Sequence, residues 1–214
     1  MAAKVKICGL TRFEDARLAV ESGAWAIGMV FHPDSPRHVD VEQAAEIATA
    51  FRRRCEVVGV FVNSPLDDVL QTLGSVPLTT LQLHGDEGPS YCAEAGRRTG
   101  LKVIKAVRAK DAQAVRALSA FHTDFHMIDA YVPGAYGGTG EGFDWELAAA
   151  HTGDVPLVLS GGLTAEKVGE ALAVVRPYAV DVASGVEASP GVKDSYRMQA
   201  FFEAVRSAAT APQG

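Results

Sequence analysis

Residues 156–186 read PLVLSGGLTAEKVGEALAVVRPYAVDVASGV. The apolar run "PLVLSGG" (156–162) breaks at two glycines, "AEKVGEALAVV" (165–175) places apolar side chains at helical spacing, and "AVDVASGV" (179–186) is again β-branched and ends in small residues. That order is strand, crossover helix, strand, which packs as a right-handed βαβ unit with parallel strands. The alternation extends through the chain. Further strand-like runs are "KVKICGL" (4–10), "AWAIGMVF" (24–31), "EVVGVFV" (56–62), "TTLQLHG" (79–85), "KVIKAV" (102–107) and "FHMIDA" (125–130), eight in all. Helical spacing recurs in "VEQAAEIATAFRRR" (41–54), "AQAVRALSAF" (112–121) and "DSYRMQAFFEAVRSAA" (194–209). Eight near-equal units in 214 residues close most naturally into one α/β domain, a (β/α)₈ barrel spanning 1–214, near the short end of the ~200 to 250 residues such barrels use. An open doubly wound sheet is the alternative. No linker or low-complexity segment interrupts the pattern, and only the tail "TAPQG" is expected to fray.

Composition narrows the function. With 48% hydrophobic residues the chain has ample material for a core. The formal charge of −6, with basic residues scattered, lacks the footprint of a nucleic-acid binder. No stretch approaches the roughly 20 apolar residues of a membrane span, and strand-like sequence from Lys4 leaves no room for a signal peptide, so a cytoplasmic protein is expected. Cys8, Cys55 and Cys92 are odd in number and widely spaced, which suggests free thiols rather than a disulfide framework or a zinc site.

Period-2 alternation sorts strand residues by face. Leu81 and Leu83 suit the helix layer, which turns Thr80, Gln82 and His84 inward. Val5 and Ile7 likewise leave Lys6 and Cys8 inside; Phe125, Met127 and Asp129 share a face; Val180 and Val182 leave Asp181 inward. Lys105 is not assigned by this logic. Cys8, His84 and Asp129 stand at the C-terminal ends of their strands, with Gln82 and Asp181 slightly deeper, and that end of a barrel is where active sites are built. Cys55 and Cys92 read as core thiols, and His126, opposite in face to Asp129, as a hydrogen-bonded core histidine. A carboxylate such as Asp129 in an apolar interior is unfavourable unless paired or neutralised, which points to chemistry. Asp181 could equally bond backbone donors.

Two glycine-rich segments imply an anion. "SGGLTAEKV" follows the seventh strand, where Thr164 can cap the next helix, and "ASGVEASPGVKD" follows the eighth. In barrels of this kind the loops after strands seven and eight are a recurrent phosphate site. The loop "PGAYGGTGEGFDW" (133–145) is long enough to close over a ligand. Arg37, behind Pro36 in "HPDSPRHV", offers a planar fork suited to a carboxylate or phosphate. No metal-ligand cluster, Walker loop or dinucleotide fingerprint is present. The residues alone indicate a phosphorylated small-molecule substrate and proton-transfer chemistry.

"KICGLT", "GAWAIGMVFHPDSPRHV", "LQLHGDE", "IDA" followed by "GGTGEGFDW", "LSGGL" and "DVASGVEASPGVKD", in this order, make the chain resemble the phosphoribosylanthranilate isomerases of tryptophan biosynthesis over essentially its whole length. Ala183 stands where that family often has serine, and Ser160 where alanine is common. The resemblance implies an Amadori rearrangement of N-(5-phosphoribosyl)anthranilate without a cofactor or metal. It implies Cys8 as general base and Asp129 as general acid, Arg37 on the anthranilate carboxylate, Gln82, His84 and Asp181 lining the pocket, and backbone amides around Gly161, Gly162, Ser184 and Gly185 on the phosphate. A monomer or homodimer is expected, with neither nucleic acid nor membrane as partner. The roles require a stabilised Cys8 thiolate, for which Lys6, another nearby donor or a bound partner could serve, and an apolar surrounding that keeps Asp129 protonated. The alternatives are a histidine-pathway isomerase, which pairs two aspartates, a Schiff-base aldolase on Lys105, and a non-catalytic sensor of a phosphorylated metabolite.

Overall fold

The computed structural model describes residues 3–130 and 145–210. Eight parallel strands close into a barrel in chain order: β1 (Lys4–Ile7), β2 (Ala26–Val30), β3 (Glu56–Phe61), β4 (Thr80–Leu83), β5 (Lys102–Ala109), β6 (Phe125–Ala130), β7 (Leu157–Ser160) and β8 (Ala179–Val182), with β8 pairing back onto β1. Helices α1 (Phe13–Glu21), α2 (Val41–Phe51), α3 (Leu66–Ser75), α4 (Pro89–Thr99), α5 (Ala112–Arg116), α6 (Val168–Val175) and α7 (Ser195–Thr210) surround it. This is the (β/α)₈ barrel that the alternation predicts. Most of the loop 133–145 lies outside the described residues; Trp145, its last residue, is buried and opens a 3₁₀ segment, Trp145–Ala150.

Several strands end before their apolar runs do. Cys8-Gly9, His84-Gly85, Gly161-Gly162 and Ser184-Gly185 leave the ladder to make βα turns, so chemistry-bearing side chains stand at the rim instead of within the sheet. Three helices depart from expectation, α2 by stopping at Phe51 instead of running on to residue 54. The segment 112–121 divides into α5 and a 3₁₀ turn, Ala117–Ala120, where Ser119 Oγ bonds back to the Arg116 carbonyl and tightens the chain. Helix α6 starts later than residue 165, because the amides of Lys167 and Val168 both donate to the Thr164 carbonyl in a tight turn. Thr164 thus contributes its carbonyl there, while Lys167 occupies the N-cap.

The alternation places the core in two layers. Ile7, Leu81, Leu83 and Val180 face outward and pack with helix residues such as Ile47, Val69 and Phe201, each contributing about 1.5–3 kcal/mol by its burial. Inside, Ala26, Val58, Ile104, Ala106, Phe125, Met127, Val158 and Ala179 fill the lower barrel. Trp25 and Tyr178, just ahead of β2 and β8, close that end with ring centroids 5.4 Å apart and nearly perpendicular. The apolar plug stops there, and Lys6, Gln82 and Asp181 continue the same inward face upward as a buried polar layer.

Lys105, between the inward Ile104 and Ala106, points outward. Its Nζ donates to the Gly85 carbonyl at 2.7 Å and to Glu87 Oε2 at 2.8 Å, and Glu87 also accepts from the amides of Asn63 and Gly85. That buried pair braces the loops after β3 and β4 from behind. It also removes Lys105 from the barrel interior, where a Schiff-base lysine would have to stand.

Candidate active site

A cavity of about 340 Å³ opens at the C-terminal ends of the strands, and Cys8, Arg37, Gln82, His84, Asp129 and Asp181 all line it. Gly161, Gly162 and Ser184 form its wall after β7 and β8. Gly185 stands behind that wall: a Cβ there would lie 1.9 Å from the Leu163 carbonyl oxygen, so only glycine lets the two loops meet. Nine of the ten site residues expected from the sequence therefore share one cavity, and the tenth shapes its wall.

On the β1 side, Cys8 is buried beside Lys6, which is wholly inaccessible and bonds Asp181 Oδ1 at 2.7 Å across the β1–β8 seam. Ser160 Oγ donates to the other Asp181 oxygen at 2.9 Å. Asp181 is thus held by an ammonium and a hydroxyl, not by the backbone donors that the sequence left open. Gly28, on β2, makes room for the group, since a Cβ there would lie 2.9 Å from both Cys8 Sγ and Lys6 Nζ. Burial pushes the Cys8 thiol above its ordinary value and Asp181 adds to this, while Lys6 pulls it back only in part. For Lys6, burial works against the charge, but Asp181 and Cys8 outweigh it and raise the ammonium's pKa. Lys6, one of the sources of thiolate stabilisation that the sequence offers, is in place, but burial outweighs it and the net shift of the Cys8 thiol is upward.

On the opposite wall, His84 Nε2 lies 3.2 Å from Asp129 Oδ2, and Gln82 Nε2 lies 2.8 Å from His84 Nδ1. Strands β4 and β6 supply this row, with β5 between them in the barrel.

Arg37 has a protein partner that sequence reasoning missed. Its Nε and Nη2 grip Glu187 Oε1 and Oε2 at 2.8 and 2.7 Å, so a ligand carboxylate would meet the Nη1 edge. Gly9, with φ +72°, lets the Arg37 stem cross the end of β1, where a Cβ would come within 2.4 Å of Arg37 Cδ. Glu187 begins a small hairpin, β9 (Glu187–Ser189) and β10 (Val192–Lys193). Lys193 Nζ donates to Glu187 Oε1 at 2.8 Å, to the Cys8 carbonyl at 2.6 Å and to the Ala183 carbonyl at 3.2 Å. Burial favours the neutral acid of Glu187, but Arg37 and Lys193 hold it below the usual carboxylate range. Pro190-Gly191 was the available turn signal, with Gly191 at φ +81°.

A family model described as N-(5'phosphoribosyl)anthranilate (PRA) isomerase matches residues 5–204. N-(5'-phosphoribosyl)anthranilate isomerase of Geobacter metallireducens is 46% identical over 95% of this chain and 99% of its own, and that of Geobacter sulfurreducens is 49% identical over 92% and 96%. The crystal structure of phosphoribosyl anthranilate isomerase from Thermotoga maritima aligns with a TM-score of 0.85 at 41% identity, covering 96% of this chain and 99% of that one. Another, of the isomerase in complex with reduced 1-(o-carboxyphenylamino)-1-deoxyribulose 5-phosphate, aligns at 0.82 with 38% identity, again over 96% and 99%. On sequence, architecture and coverage together, the chain belongs to the N-(5'-phosphoribosyl)anthranilate isomerase family.

Proposed function

We propose that Cys8 and Asp129 are the base and acid with which this isomerase converts N-(5-phosphoribosyl)anthranilate to 1-(2-carboxyphenylamino)-1-deoxyribulose 5-phosphate. The observation that carries the assignment is their placement: a thiol beside an ammonium and a carboxyl beside an imidazole on one cavity, at the ends of β1 and β6. Asp129 protonates the ribose ring oxygen, the bond from that oxygen to the anomeric carbon breaks, and the anthranilate nitrogen lone pair forms a C=N bond. The Cys8 thiolate then removes the proton from the adjacent sugar carbon. Those C–H electrons make an enolamine, and tautomerisation leaves a ketone there and a CH₂ at the former anomeric carbon.

The raised thiol value cuts two ways. It makes the thiolate the minority form at neutral pH, and it makes that thiolate the stronger base toward a carbon acid. Lys6, kept charged by Asp181, faces the sulfur in either state. Arg37 through its Nη1 edge suits the anthranilate carboxylate. The amides around Gly161, Gly162, Ser184 and Gly185 suit the phosphate, which would anchor the end of the ligand remote from the chemistry.

The test is the fluorescence decay of phosphoribosylanthranilate on adding the protein, with the histidine-pathway substrate in parallel. Decay of the first is expected; decay of the second alone, or of neither, overturns the reading. Cys8→Ala and Asp129→Asn should each lower kcat by roughly 10² or more with the fold intact; wild-type kcat in either would remove that residue from the mechanism.

A further inference from the structure

We infer that Gln82 acts on the acid rather than on the ligand: its amide selects the His84 tautomer that donates to Asp129, which makes Gln82 a positioning residue. The inference rests on the reading of Asp129 as the acid. Gln82 Nε2 lies 2.8 Å from His84 Nδ1. A primary amide nitrogen has only hydrogens to offer, so Nδ1 must present its lone pair, and the ring hydrogen then sits on Nε2, facing Asp129 Oδ2 at 3.2 Å.

The amide orientation is the deciding feature. Gln82 is 1% exposed, so its amide has no solvent with which to exchange partners. Its Oε1 is buried and finds no hydrogen-bond partner among the described residues. Turning the amide over would give that oxygen the Nδ1 hydrogen of the other tautomer. Turned over, however, the amide would leave the two hydrogens of its nitrogen without a partner where Oε1 now lies, so the observed orientation, with the nitrogen on the ring, leaves the smaller deficit.

The two orientations have different chemical consequences. With Nε2–H on Oδ2, that oxygen is committed as an acceptor and the acid's proton is left to Oδ1. The carboxylate formed on donation then meets a hydrogen bond already in place, which strengthens as the charge appears. With the amide turned over, Nε2 would offer a lone pair to Asp129 and draw its proton toward the ring, away from the substrate.

The test is ¹⁵N NMR of the His84 ring in the full chain, assigned against His84→Gln, together with steady-state kinetics on phosphoribosylanthranilate. Wild type should show the Nε2–H tautomer. Gln82→Met, of similar length but without donor or acceptor, should show a mixture, and Gln82→Glu, which places acceptors at Nδ1, should show Nδ1–H. Both variants should lose roughly tenfold or more in kcat with KM nearly unchanged. An Nδ1–H tautomer in wild type overturns the proposal and needs no variant to fold. So does a Gln82→Met chain that keeps both the Nε2–H tautomer and wild-type kcat, and a rise in KM alone would return Gln82 to ligand binding. Failure of the acid assignment is separate, because it would show as undiminished kcat in Asp129→Asn whatever the tautomer.

Discussion

The pH response of single residues distinguishes the two proposed catalytic partners. Because burial holds Cys8 above the ordinary thiol range, the thiolate fraction grows about tenfold per pH unit through neutrality. In Asp129→Asn, with the carboxyl replaced by an amide, residual kcat/KM should climb with that slope up to the raised thiol value; a flat profile from pH 6 to 9 would remove Cys8 as the titrating base. Gly28 gives a second prediction. Its hydrogen leaves space that a methyl would take from both Cys8 Sγ and Lys6 Nζ, and displacements of that size at reacting groups cost on the order of 10² in rate. Gly28→Ala should therefore lose far more kcat than thermal stability, as kinetics and circular-dichroism melts would show. The inward positions of Cys8, Lys6, Gln82, His84, Asp129 and Asp181 were legible from alternation alone. The direction of the Cys8 shift was not, since it depends on how completely the walls exclude water, and neither was the Glu187 partner of Arg37, which lies 150 positions away.

Among the elements, the β9–β10 hairpin was the least legible. Strands of three and two residues are too short to show alternation, so "EASPGVK" read only as a glycine-bearing loop. Its function in the fold is electrostatic: it brings Lys193 to the carbonyls that end β1 and β8, and Glu187 to Arg37. Lys193→Met keeps most of the side-chain volume while leaving Glu187 with one cation fewer, and removing one partner of a buried pair destabilises by about 3–5 kcal/mol. A Tm drop of several degrees by calorimetry is expected, together with a rise in KM as Arg37 loses its brace; an unchanged Tm would show that the hairpin is held by other contacts.

The whole barrel was readable because eight separate runs agree on one period and one order, so an error of a few residues at α5 or α6 leaves the topology untouched. Its acid response should come in two stages. Burial lowers the pKa values of His126 and His151, whose rings bond each other at 2.9 Å. Their contribution is complete above about pH 6.5 and is lost as pH falls from there toward their depressed folded values. In Glu87 and Glu187 burial opposes the charge but lysine and arginine partners prevail, so their pKa values lie below the ordinary 4.5, and their stabilisation is lost only on further acidification beneath that value. Calorimetric Tm measured from pH 7.5 to 3.5 should therefore decline in both windows, and His126→Gln should flatten the upper one; a single decline confined to below pH 4.5 would exclude the histidine pair. The seam between β1 and β8 has a further consequence for synthesis. Cys8 precedes Lys193 by 185 positions and Lys6 precedes Asp181 by 175, so a nascent chain emerged only through β7 carries the thiol without any of the distant charges that set it. The surroundings proposed for the catalytic sulfur are thus complete only once residues 181–193 have emerged, and an amino-terminal fragment that ends before β8 carries Cys8 without Asp181 or Lys193.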